Sequence, residues 1–168
     1  MINSEIQPIN TFTDLSPASK VWIYSCDRLL TDDEVILINT LLIDFCKQWT
    51  AHNLALKAMG KILFNQFIIL AVDESQTIAS GCSIDKSVHF IKQIESQFNL
   101  SLFDRLTIFY DCDGKIKSFH FNDLTSKVAS GIILGTTKIY DTTITQLGFF
   151  QKEFIKDASK SWLAKFLR

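Results

Sequence analysis

The sequence predicts an α+β fold in the ferredoxin-like, split-βαβ order, with an added C-terminal β/α extension. Three observations predict it. Residues 20–25 and 67–72 are apolar on both faces, as central strands are. Two long segments, 31–50 and one beginning near residue 81, carry apolar residues at helical spacing. An Asp113-Gly114 pair then separates two strand-like runs, a strong signal for a hairpin turn. The order is β-α-β-β-α-β, and right-handed crossovers place its first and third strands in the centre.

Residues 1–19 are polar, hold both prolines, and read as an arm anchored by Phe12 and Leu15; residues 20–168 read as one domain. "KVWIYS" (20–25) is β-branched and aromatic, a first strand. "LLTDDEV" then starts a helix. Thr31 is placed to cap, Glu34 stands three residues on, and Asp32 and Asp33 suit the positive helix end. Val35, Ile38, Leu42, Phe45 and Trp49 carry the helix stripe to about Thr50, and "AHN" is the exit. In "LKAMGKILF" (56–64), Ala58, Gly60, Ile62 and Phe64 share one face while Lys57 and Lys61 wet the other. Asn65-Gln66 is the expected tight turn into "FIILAV" (67–72), which Asp73 and Glu74 end.

The second helix follows "SGCSID", with Ile84, Val88, Ile91, Ile94 and Phe98 as its stripe. Residues 105–121 form the Asp113-Gly114 hairpin, and 122–131 a short helix ending at a glycine. "KIYDTTI" has strand character; the aromatic tail after it reads as helical, with a break near Asp157. A ferredoxin-like sheet carries helices on one face only. The other face of "FIILAV" therefore needs cover, since burial contributes ~25 cal/mol per Å² and a bare face invites aggregation. The tail (Phe149, Phe150, Phe154, Trp162, Phe166) is the first choice for that cover, and a second copy of the chain the next. No stacking aromatics stand on the third strand, so an open RNA-binding platform is not expected.

The totals exclude several classes. The 168 residues are 47% hydrophobic and include 14 Phe, enough for a core and far from a disordered composition. A net charge of −1 gives no global attraction to nucleic acid or anionic membrane. Cys26, Cys46, Cys82 and Cys112 form no C-x-x-C pair, and with His52, His89 and His120 they give no zinc signature, so no metal and no cofactor is expected. The first 17 residues have neither the basic nor the apolar region of a signal peptide, and no apolar run nears the ~20 residues of a membrane helix. A cytoplasmic chain with free thiols is the expectation.

Topology brings distant residues to one edge. The first helix exits where the second strand begins, and the third strand ends there, just before the second helix. Trp49, His52, Asn53, Lys57, Asp73, Glu74, Ser80, Gly81, Cys82, Ser83 and Asp85 should converge, with Asp111 and Cys112 beside them. Arg28, Asp104 and Arg105 belong to the opposite edge. The start of the second helix offers unpaired N–H groups and a positive dipole end, so Ser80, Gly81, Ser83, Lys57 and Asp73 are candidates to bind a small anion. The same field favours a Cys82 thiolate, with His52 as base and Asp85 or Asp73 as its orienting acid. Each residue also has a structural reading: Ser80 or Ser83 as N-cap, Asp85 as a dipole partner, His52 as a helix-closing residue, Cys82 as a gap filler.

"SKVWIY", "QWTAHNLALKA", "FIILAVDES", "SGCSIDKSVHFIK" and "LFDR", led in by "FTDLSP", resemble a family of short uncharacterised bacterial proteins. Members are often labelled ABC transporter ATPase. The resemblance covers most of residues 12–105, and "SGCSID" is its most specific part; in the tail only Ser161-Trp162 matches. The residues do not carry the label. A phosphate-cradling G-x-x-x-x-G-K-[ST] loop is absent, as is an ABC signature, and the chain is too short for that ATPase domain. Three functions stay open: a module binding a small anionic ligand or a protein partner at the second-helix edge, a thiol-dependent enzyme, and a subunit of a homodimer or larger complex.

Overall fold

The computed structural model describes residues 9–167 and is an α+β fold with several sheets. Of the expected arm, residues 1–8 lie outside the described part, as does Arg168. The contacts group into two compact units. One holds residues 10–103 and 143–150; the other holds Ile9, 104–142 and 151 onward.

In the first unit, β1 (Lys20–Ser25) pairs antiparallel with β5 (Phe67–Asp73), and β5 with β4 (Lys57–Leu63), in the order β1-β5-β4. All seven residues of β5 are buried, as its two-sided apolar pattern demands. Helix α1 (Asp32–Gln48) starts at Thr31 with a full capping box: Thr31 Oγ1 accepts the Glu34 N–H, and Glu34 Oε2 accepts the Thr31 N–H. Arg28 holds the same Glu34 through both carboxylate oxygens at 2.8 Å. Ile38, Leu42 and Cys46 of α1 pack with Ile62, Ile68, Leu70 and with Ile91 and Ile94 of α2 (Gly81–Phe98) in one core. Gly60 lets α1 approach closely, since a Cβ there would stand 3.1 Å from Leu42 Cβ.

The turn between β4 and β5 is centred on Phe64 and Asn65, not on Asn65-Gln66. Both have positive φ (55° and 51°), and the Gln66 N–H closes the turn onto Leu63 O at 3.1 Å. Gln66 has another task. Its buried side-chain amide donates to Cys26 O and reaches Arg28 O at 3.5 Å, satisfying the chain that leaves β1. A two-residue-strand hairpin, β2 (Thr50–Ala51) and β3 (Leu54–Ala55), follows α1 where only a helix exit was expected.

The first three long strands share one sheet, and the fourth lies in another. β6 (Thr107–Cys112) was expected beside β1. It lies instead in the second unit, in a sheet ordered β7-β6-β8-β9. Both edges of β6 are occupied there, one by β7 (Lys115–His120) and the other by β8 (Lys138–Tyr140). The edge of β1 is met by residues 145–147 of its own unit: Val21 N–H donates to Thr145 O and Leu147 N–H to Ser19 O, both at 2.9 Å. The second face of this sheet (Val21, Ile23, Phe67, Ile69, Ala71) is buried.

In the second unit, Asp113 and Gly114 take positive φ (54° and 76°) in the β6–β7 turn, as their sequence signal predicts. Helix α3 (Leu124–Ala129) is followed by Gly131 at φ 73°. Ile108, Tyr110, Phe119, Leu124, Ile133, Ile139, Ala158 and Leu163 form its core. The tail, expected to be helical with a break near Asp157, starts in the first unit and breaks after Glu153. It divides into α4 (Leu147–Glu153), the strand β9 (Ile155–Asp157) paired with β8, and two short 3-10 turns. Among the described residues no helix is long and apolar enough to cross a membrane.

Candidate functional site

Within the first unit, one buried bond joins the end of α1 to the start of α2. Trp49, the residue that ends α1, donates its indole N–H to Ser83 O in the first turn of α2 at 2.8 Å. Around it Trp49, Ala51, Leu56, Val72 and Ala79 form a buried cluster, with Trp22, Phe45, Ala58 and Ile84 against it. Phe45 stacks on Phe90 with centroids 4.2 Å apart, joining the two helices a second time. Trp49 is more than a member of the helix stripe: its polar edge fixes where the next helix begins.

Most of the side chains predicted to bind a ligand are engaged in folding. Ser80 is the N-cap of α2; its Oγ accepts the Ser83 N–H at 3.2 Å. Buried Ser83 donates its hydroxyl back to Ser80 O at 2.8 Å. Asp73 is buried and saturated. Oδ2 accepts the Ser16 N–H (3.2 Å) and Lys57 Nζ (3.4 Å), and Oδ1 accepts the Ser75 N–H (3.0 Å). These bonds, the Ser75 N–H foremost, draw its carboxyl from an ordinary 3.8 down to about 2. Lys57 thus faces Asp73 across the β4–β5 ladder. Glu74 plays a like part, accepting the Ala79 N–H at 2.9 Å and pairing with Lys20 at 3.1 Å. Gly81 alone of the predicted ligand set stays exposed and uncommitted, with open space where a Cβ would be.

The proposed catalytic set is placed but not joined. Cys82 is exposed on the first turn of α2. His52 sits at the tip of the β2–β3 hairpin, where it and Asn53 have φ of 50° and 63°. Their side chains stand in a type I′ turn, so the local signal at 52–53 is conformational. Asp85 is exposed one turn into α2. No hydrogen bond links Cys82, His52 or Asp85 to one another among the described residues. Asp111 and Cys112, predicted beside them, end β6 in the other unit, where Asp111 Oδ1 accepts the Gly114 N–H at 3.2 Å. Arg28 stays at the far edge, donating to Phe98 O at 2.9 Å. Asp104 caps the start of β6 through the Leu106 N–H and the Thr107 hydroxyl.

The edge also presents apolar side chains that the sequence did not single out. Leu54, on the small hairpin two residues before buried Leu56, is 60% exposed; Ile78, next to buried Ala79, is 69% exposed. In the second unit, Lys138, Lys152, Lys156 and Lys160 carry no site signal in the sequence. Lys152 lies near the end of α4, Lys156 in β9 and Lys160 in the 3-10 turn that follows. Among the described residues, no group of His, Cys, Asp and Glu side chains is arranged to hold a metal ion. Comparison with protein-family models, with curated proteins and with solved structures finds no match in any of the three.

Proposed function

We propose that this chain is a non-catalytic interaction module that binds a protein partner at the amino end of α2. The observation that carries the reading is the exposure of Leu54 and Ile78, each within two residues of a member of the buried Trp49 cluster, together with the exposed Gly81-Cys82 first turn of α2. Apolar side chains next to free helix-terminal N–H groups suit a partner segment that carries a carboxylate or phosphate flanked by apolar residues. The anion and partner readings thereby become one. A small free ligand is less well served, because Ser80, Ser83, Lys57 and Asp73 have partners already. Helix α1 also exposes Ile36, Leu37 and Ile43, but Asp33, Thr40, Asp44 and Lys47 interrupt them on the same solvent-facing arc. The module is read as cytoplasmic, as a member of the short bacterial family its motifs resemble, without ATPase activity, and with residues 20–98 as the ferredoxin-like half.

Cys82 supplies the test. Cys26 and Cys46 are buried, and burial pushes both thiols up to about 12, so a C112S chain leaves Cys82 as the open thiol. A photo-crosslinker attached there is activated in extract of the organism that encodes the chain. The expected result is one discrete adduct, absent in L54D/I78D. Its mass separates a second copy from another protein. No discrete adduct, or one indifferent to L54D/I78D, counts against the reading.

A further inference from the structure

The second unit holds a pocket of about 330 Å³ whose lining is almost wholly charged. Lys138, Lys152, Lys156 and Lys160 face Glu153 and Asp157, with Ile155 between them. Four ammonium groups against two carboxylates leave an excess of two positive charges; Asp141, behind Lys156, reduces it to one. The volume equals roughly ten waters at ~30 Å³ each and lies at the small end of the range for ligand sites.

Three of the lysines are positioned in advance. Asp157 takes Lys138 on Oδ1 at 2.5 Å and Lys160 on Oδ2 at 3.4 Å. Lys156, only 15% exposed, lies 2.8 Å from Asp141 Oδ2 and 3.5 Å from Glu153. Lys152 has no ion pair among the described residues. The positive charge left over after this pairing is that of exposed Lys152, which also lines the hollow. β9 is the edge strand of its sheet. The Ala158 N–H donates to Thr137 O and the Asp141 N–H to Phe154 O, so the even-numbered residues 154–158 face β8. By the alternation of an antiparallel ladder, the N–H groups of Ile155 and Asp157 turn away from β8.

We propose that this pocket binds a small phosphorylated anion, of about pyrophosphate size, through Lys138, Lys152, Lys156 and Lys160. Lysines act as compact point charges around a multiply charged group, and no arginine fork is present in the lining to select a planar carboxylate. The carboxylates bind no ligand themselves; they hold the lysines in place, which lowers the ordering cost of binding. This site shares no residue with the α2 edge and stands or falls separately from it.

Pyrophosphate titrated into the full-length chain, followed by backbone amide shifts, tests the proposal, with sodium chloride at matched ionic strength and citrate as comparators. Saturable shifts at residues 155–160 are expected. K152Q should weaken them about three- to tenfold, as loss of one partly screened charged contact does, and K152Q/K160Q further. Unchanged shifts elsewhere in the spectrum show that both variants remain folded. Linear shifts, shifts reproduced by chloride, or affinity unaltered in the double variant overturn the site. Citrate binding as tightly as pyrophosphate overturns the phosphate class. Saturable shifts centred on Gly81 and Cys82 alone would move anion binding to the α2 edge and remove it from this pocket.

Discussion

Asp73 shows how a residue can look functional in the sequence and prove structural. It ends the most buried strand, stands near Cys82 in the chain order, and carries a charge, so it reads as a ligand. In the fold its three bonds tie residue 16, residue 57 and the turn at residue 75 to one carboxylate. Nothing in the local sequence signals the Ser16 contact, which spans 57 positions. The carboxyl is drawn to about 2 in the fold, below its ordinary 3.8. A lowered acid favours the folded state above the ordinary value and stops doing so as pH falls through the lowered one. Glu34, drawn to about 2 chiefly by Arg28 and then by the Thr31 N–H, acts in the same direction over the same range. Urea midpoints of the parent chain should therefore fall most steeply between about pH 4 and pH 2. D73N should be the less stable at pH 7, and its deficit should close across that window as the parent's own carboxyl protonates. A deficit that stays constant from pH 7 to pH 2 would mean that the charge of Asp73 contributes nothing.

Elements were legible where pattern and end signals agreed. The capping box at Thr31–Glu34 and the Asp113-Gly114 turn stand where the sequence puts them, because each depends on neighbours within four residues. The β4–β5 turn lies one residue earlier than its sequence suggests, because Phe64 takes a positive φ unusual for its type and Gln66 is committed to Cys26 O. The tail shows the stronger limit. The tail reads as helical with a break near Asp157, but the helix stops at Glu153 and Ile155–Asp157 form β9, since β8 offers an edge that no local signal reveals. Gly60 shows packing that the sequence does foretell. It lies in the apolar row of β4 with Ala58 and Ile62, the row that faces α1. A Cβ there would come within 3.1 Å of both Leu42 Cβ and Leu70 Cδ2, and within 3.2 Å of Leu42 Cδ2. G60A should cost about 1–3 kcal/mol, the usual range for overpacking, although alanine is the better residue in a strand on backbone grounds. Urea unfolding should show a lower midpoint with the same slope. A neutral or stabilising G60A would mean that α1 shifts freely on the sheet.

At the scale of the whole chain, the feature that the sequence conceals is connectivity. Strand order follows from which edges are free, and "KIYDTTI" gave no sign that it would occupy the second edge of β6 and so leave β1 to another partner. That partner comes from residues 143–150, some 40 positions beyond the last of the first unit's other residues, 10–103. The first unit is thus complete only when a late segment returns to it, a non-local closure of the kind that slows folding. The return is made by three backbone bonds: Val21 N–H to Thr145 O, Leu147 N–H to Ser19 O, and Gly148 N–H to Pro17 O at 2.8 Å. Gly148 permits the closest approach, since a Cβ would lie 3.2 Å from Pro17 O and from Pro17 Cβ. If docking of this segment is one event, the Val21 and Leu147 amides must open together, because each is protected only by the other's strand. Native-state hydrogen exchange through a denaturant series should give these two amides one shared free energy of opening, below that of the β5 amides, which two strands enclose. G148V should speed exchange at both by roughly fivefold or more, the equivalent of about 1–3 kcal/mol of overpacking. It should leave the amides of the Phe64–Asn65 turn unchanged. Separate opening energies for Val21 and Leu147, or a G148V effect on only one of them, would break the link between the edge of β1 and the returning chain.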